Sequence, residues 1–178
     1  MMMKALESGG LEACYNNSRD EYRKRFADEF YDPNEGGLYE LDRSEYRKLN
    51  FPEDYEGKLI KGLKNCIPLM NPMPNGIRAV FMLRDKEEIR QSYNAFFNDE
   101  LRNIENHEES MQRIINRIKN RKDIRSLNVF NYRDVVNNPI KYFTILKNNG
   151  WTIDVEKCSE IVNPKLYRFR KELLTISI

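Results

Sequence analysis

Hydrophobic positions fall into two kinds of run along the chain. Ile77 to Leu83 is almost continuously apolar, and Lys58 to Leu63 and Leu127 to Tyr132 are two further strand candidates interrupted by polar residues. A near-continuous apolar run such as Ile77 to Leu83 suits a strand covered on both faces, as in a parallel sheet. Between them the apolar spacing lengthens to that of helices: Met1 to Ser8, Glu21 to Tyr31, Lys86 to Phe97, Glu100 to Lys122, Val135 to Asn149, and Asp154 to about Val162. In the longest of these, Leu101, Ile104, Met111, Ile114, Ile115 and Ile118 form one apolar stripe, the mark of a helix lying on a core. Gly9-Gly10 stops the first helix, and Asn149-Gly150 stops the one before Trp151. Glu12 to Asp20 reads as loop and Asp32 to Gly37 as a turn; Leu38 to Leu41 follows, then a polar helix or loop through Leu49. Lys64 to Gly76 carries Pro68, Pro72 and Pro74 and fits a crossover without a long helix. Strands alternating with helices, without linker or repeat, predict one α/β domain over residues 1–178, three-layered with a parallel sheet.

Ile77 to Ser92 holds the most informative chemistry. Arg84 follows the apolar strand directly, at the C-terminal edge where open α/β sheets place ligands. Asp85 is a good N-cap for the next helix, and Glu88 completes a capping box with it. Ser92 lies about two turns beyond Asp85, on the same face. A guanidinium and a hydroxyl converging at a strand end can grip a phosphate.

An apolar strand, Arg-Asp, then Ser eight positions after the Arg resembles the 3′-phosphate-binding segment of the sulfotransferase family. The resemblance implies a P-loop NTPase-like fold and 3′-phosphoadenosine 5′-phosphosulfate (PAPS) as sulfuryl donor, with adenosine 3′,5′-bisphosphate as its product. Arg84 and Ser92 match the 3′-phosphate ligands. Tyr132, in Tyr132-Arg133-Asp134-Val135-Val136-Asn137-Asn138-Pro139, is similar to the Tyr of the family's Tyr-Glu/Asp-Asp-Leu…Pro stretch, which lies near the adenine. Its ring could stack on a base or simply anchor strand to helix. Arg168, Arg170 and Lys171 fall in a C-terminal segment similar to the family's basic 3′-phosphate loop, though Glu172 stands where that loop has Gly.

Lys61 matches the Lys of the family's Lys-Thr-His motif, which implies charge stabilisation at the transferred group. The His of that motif falls on Leu63, so a proton acceptor must come from elsewhere, and Glu40 is a candidate base or a surface ion-pair partner. The family's first strand and its Pro-x-Ser-Gly-Thr-type loop have no counterpart here, because Met1 to Gly10 resembles the helix that follows that loop. The expectation is therefore an N-terminally truncated sulfotransferase-like domain. It either transfers a sulfuryl group to a hydroxyl or amine of a small-molecule or glycan acceptor, or keeps the fold as a non-catalytic nucleotide-binding or scaffold protein. A kinase of the same broad fold would need a Walker-type loop, which the sequence does not contain.

Composition narrows the picture further. A net charge of +2 is too small for a nucleic-acid footprint, and the basic run from Arg113 to Arg125 fits a solvated helix end. Three cysteines, Cys14, Cys66 and Cys158, are too widely spaced for a zinc knuckle or a disulfide framework. Their pattern points to a reducing, cytoplasmic setting. No run of some 18 apolar residues predicts a membrane span, and Glu7 to Gly10 interrupts any signal-like stretch. His107, in a charged context, reads as a surface residue.

Overall fold

The computed structural model describes residues 1–14, 55–62, 71–97 and 107–166. Helix α1 (Met2–Ser8) ends at Gly9 and Gly10, the latter at φ 107°, where an L side chain would be strained. Strand β1 (Ala13–Cys14) then pairs in parallel with β2 (Leu59–Ile60). The sequence reads residues 12–20 as loop, but a two-residue ladder to a distant partner leaves no local periodicity to detect. Strand β3 (Ile77–Leu83) and helix α2 (Lys86–Phe97) take the expected bounds. Helix α3 (His107–Lys119) occupies the middle of the long charged segment, with His107 partly exposed at its start.

Strand β4 (Ile124–Asn131) begins three residues earlier than its apolar run, because Ile124 and Ser126 pair with Ile77 and Arg78 of β3 while exposed Arg125 bulges out of the register between them. The expected helix over residues 135–149 is two helices, α4 (Tyr132–Asn137) and α5 (Pro139–Asn148). Pro139 causes the break: its ring excludes the helical conformation at Asn138 (φ −144°, ψ 66°) and it has no N–H to donate. Asn131 and Asn138 cap the two helices by accepting from the Arg133 and Lys141 N–H groups at 3.0 and 3.3 Å. Asp154 caps α6 (Val155–Glu160) by accepting from Glu156 and Lys157, both at 3.1 Å. A short 3₁₀ turn, Pro164–Leu166, follows.

The architecture is mixed α/β with parallel strands. Among the described residues the strands form two separate pairs, β1–β2 and β3–β4, rather than one broad sheet. Helices cover both faces of the longer pair. On one face Phe81 packs with Ile114, Ile115 and Ile118 of α3. On the other, Val80, Met82 and Phe130 join Leu6 of α1, Leu59 of β2 and Phe143 of α5. That second cluster ties the short pair to the long one.

Gly9 sits where α1 meets α6. Its carbonyl accepts from the Asp154 N–H at 2.9 Å, and a Cβ here would overlap the Cys158 sulfur. Burial, reinforced by Asp154, pushes the Cys158 thiol up to about 11. It is therefore a protonated, inert packing group. Gly9→Ala should cost about 1–3 kcal/mol by overpacking. Cys158→Ala in that background should restore most of the loss in a urea melt.

At the N-terminal end of the long pair, Arg121 and Asp123 clamp the loop before β3. Arg121 donates to both Asp123 carboxylate oxygens at 2.9 and 2.7 Å and to the Asn71 carbonyl at 3.1 Å. Asp123 accepts from the Met73 N–H at 2.8 Å, and its carbonyl accepts from Ile77 at 2.7 Å. Burial alone would raise the Asp123 pKa. The Arg121 hydrogen bond, the Met73 N–H and the Arg121 charge outweigh it and hold the carboxyl below its usual value. Because the folded value is the lower one, the contribution is complete above the unfolded pKa of about 4 and is lost as pH falls below it. Asp123→Asn should lower the urea midpoint at pH 7 and flatten its decline between about pH 4 and 2.

Candidate functional site at the C-terminal edge of the long strand pair

Strands β3 and β4 run in parallel with Leu83 opposite Asn131 as the last aligned residues. Two parallel strands ending in register deliver their next residues to the same edge. Those residues are Arg84 and Tyr132, and the Arg84 guanidinium carbon lies 5.4 Å from the Tyr132 ring centroid. The contact is a cation–π stack in which the ring orients the guanidinium.

Helix α2 starts at once after Arg84. Asp85 accepts from the Glu87 N–H at 2.8 Å, the bond expected of an N-cap. One turn into the helix, Glu88 is only 1% exposed. Arg84 Nε donates to Glu88 Oε2 at 3.3 Å, and Arg133 Nη2 donates to Oε1 at 3.4 Å. A buried carboxylate alone would be costly, and two guanidiniums offset that cost. Both distances are long for charge-assisted hydrogen bonds, so Coulomb attraction carries most of each pairing. The guanidinium side chains stay 23% and 34% exposed, so neither cation is sealed from solvent. Ser92 lies one turn beyond Glu88 on the same stripe of α2 and is partly buried.

Tyr132 is partly buried against the core cluster and carries Arg84 on its ring face. Burial raises its pKa, with Arg84 pulling down and Glu88 pushing up. The phenol stays protonated at neutral pH and can both donate and accept. The ring face under Arg84 is already used, so stacking on a base would need the other face.

Lys61 stands on the other strand pair, just past the end of β2. It lies within electrostatic reach of the Met1 amino group, whose pKa is lowered first by burial, then by Lys61 and Lys4. Glu40, Arg168, Arg170 and Lys171 lie outside the described residues. The described residues contain no group of three or more His, Cys, Asp or Glu able to hold a metal ion, and none of their helices is long and apolar enough to cross a membrane.

Sequence reasoning brings Arg84 and Tyr132 to the site but misses two of its members. Glu88 reads as a capping residue, although its spacing of four from Arg84 already permits an ion pair. Arg133 shows its role only once the strand register is known. The cluster is thus a buried carboxylate flanked by two half-open guanidiniums and a phenol, an arrangement able to receive an anion. Compared with known proteins, the chain matches no family model, no curated protein and no solved structure.

Proposed function

We propose that the chain is a sulfotransferase-like protein that binds the 3′-phosphate of PAPS, or of adenosine 3′,5′-bisphosphate, at the C-terminal edge of β3 and β4. The observation that carries this reading is the in-register exit of Arg84 and Tyr132 from two parallel strands, with Arg84 over the ring at 5.4 Å. The two residues singled out by resemblance come from separate segments of the sequence, yet they meet. In this reading the fold is a three-layer P-loop-like domain. Arg84 and Ser92 hold the 3′-phosphate, and Tyr132 lines the base. PAPS supplies the activated sulfuryl group for in-line transfer to a hydroxyl or amine of a small-molecule or glycan acceptor. Lys61 balances charge on the transferred group, and Glu40 takes the acceptor's proton. Positioning and charge, rather than covalent work by the protein, account for the rate.

A second reading is favoured by Leu63 standing where the Lys-Thr-His motif carries its His. It keeps the nucleotide site and drops the transfer, leaving a binding or scaffold protein. Calorimetric titration with adenosine 3′,5′-bisphosphate, beside an assay of label transfer from PAPS to model alcohols and amines, tests both. Binding with transfer supports the enzyme, binding without transfer supports the second reading, and no binding removes both.

A further inference from the structure

We infer that Asn75 is a site of spontaneous deamidation, and that the fold shields the chain's other Asn-Gly pair from the same reaction. The sequence holds two such pairs, Asn75-Gly76 and Asn149-Gly150. Glycine after asparagine leaves the backbone nitrogen open, because no side chain stands in the way of attack. The Gly76 nitrogen gives its proton to solvent hydroxide and bonds to the side-chain carbonyl carbon of Asn75. The bond from that carbon to Nδ2 breaks, and ammonia leaves with a proton taken from water. Water then opens the imide ring at either carbonyl, giving aspartate or isoaspartate. Water is consumed and ammonia released, with no oxidation or reduction. This inference stands apart from the 3′-phosphate reading.

Local structure separates the two pairs. Pro74 and Asn75 form an exposed turn closed by the Gly76 N–H, which donates to the Met73 carbonyl at 2.9 Å. Among the described residues the Asn75 side chain has no hydrogen bond. The bonds that pin the turn, from the Met73 and Ile77 N–H groups to Asp123, lie outside the two residues that close the ring. Asn149 is held harder. Its side-chain N–H donates to Asn128 Oδ1 at 2.5 Å. The backbone N–H groups of Asn149, Gly150 and Trp151 all close the end of α5, and Trp151 is buried. With ψ at 18° the Asn149 side chain is turned away from the Gly150 nitrogen. Charge does not separate the pairs. A Cβ on Gly76 would lie 2.7 Å from Arg125 Nε, and one on Gly150 would lie 3.0 Å from Arg78 Nε. Each guanidinium thus lies against its glycine, where it stabilises the anion formed during ring closure. The bonds that local opening must break therefore decide which pair reacts.

The test incubates the full chain at mildly alkaline pH and follows both sites by peptide mass spectrometry, in buffer and in urea. In the folded chain Asn75 should react at least about tenfold faster than Asn149, the factor set by the additional hydrogen bonds that must open at Asn149. In urea the two rates should agree within about threefold, because those bonds are gone. Arg125→Gln should slow Asn75 by about threefold and leave Asn149 unchanged, while Arg125→Lys, which keeps the charge, should slow Asn75 less. Thermal melts confirm that both variants fold. Isoaspartate adds a backbone carbon to a turn pinned on both sides by Asp123, so the aged chain should melt below the Asn75→Asp variant, which brings the new charge alone. Matching melts would exclude that loosening. An Asn75 rate indifferent to Arg125→Gln would remove the part given to the guanidinium. Equal rates at the two sites in the folded chain, or an Asn75 that reacts only in urea, would overturn the inference.

Discussion

Arg84→Ala should weaken binding of adenosine 3′,5′-bisphosphate by about a hundredfold, through loss of charge-assisted hydrogen bonds to the 3′-phosphate. Adenosine 5′-monophosphate should change by less than about threefold, since it has no group at that position. The same substitution also acts on the fold. Glu88 is 1% exposed and loses its nearer cation, keeping Arg133 at 3.4 Å. Loss of one cation beside a buried acid should cost about 1–3 kcal/mol. Glu88→Gln in the Arg84→Ala background removes the buried charge and should recover much of that stability. It should not recover bisphosphate binding. The double variant therefore separates a damaged ligand site from a damaged fold.

Phe143→Ala should be the most destabilising single substitution considered. Phe143 has 0% exposure and lies in the cluster that joins α1, β2, β4 and α5. Removing a buried phenyl ring loses its transfer free energy and leaves a cavity, together about 3–5 kcal/mol. For a chain of this size that corresponds to a fall of roughly 10 °C in Tm. Ile140, three residues earlier on the same helix, is 60% exposed. Ile140→Ala should therefore shift Tm by only about a degree, because little apolar area returns to water. Equal shifts at the two positions would contradict a core that unites the two strand pairs.

The legible parts of this fold are those with strong local signals. Ile77–Leu83 and Lys86–Phe97 follow directly from an apolar run, a charged turn and an Asp cap. The Ile114, Ile115 and Ile118 stripe likewise lands on the core as its spacing requires. What sequence reading misses depends on pairing over distance. Ala13–Cys14 is a strand only because Leu59–Ile60 lies beside it. Ile124 to Ser126 joins β4 only because β3 is there to bond. The helix break at Asn138 was available from Pro139, whose effect on its predecessor outweighs the apolar pattern around it.

The site divides in the same way. Arg84 follows from its strand end, whereas the Glu88–Arg133 pairing follows from the register of two strands far apart in sequence. Ser92 sits on the expected helix face. Burial, not spacing, turns Glu88 from an ordinary first-turn acid into the hub of the cluster.

The central claim is that the edge where β3 and β4 end receives the ribose 3′-phosphate. It is tested most directly by following the arginine side-chain Nε–H resonances by NMR during titration with adenosine 3′,5′-bisphosphate. Arg84 Nε–H should shift strongly and saturably, because its guanidinium meets the phosphate. Arg121, clamped by Asp123 at the far end of the same strands, should stay unmoved. A silent Arg84, or an equal response at Arg121, would contradict the claim.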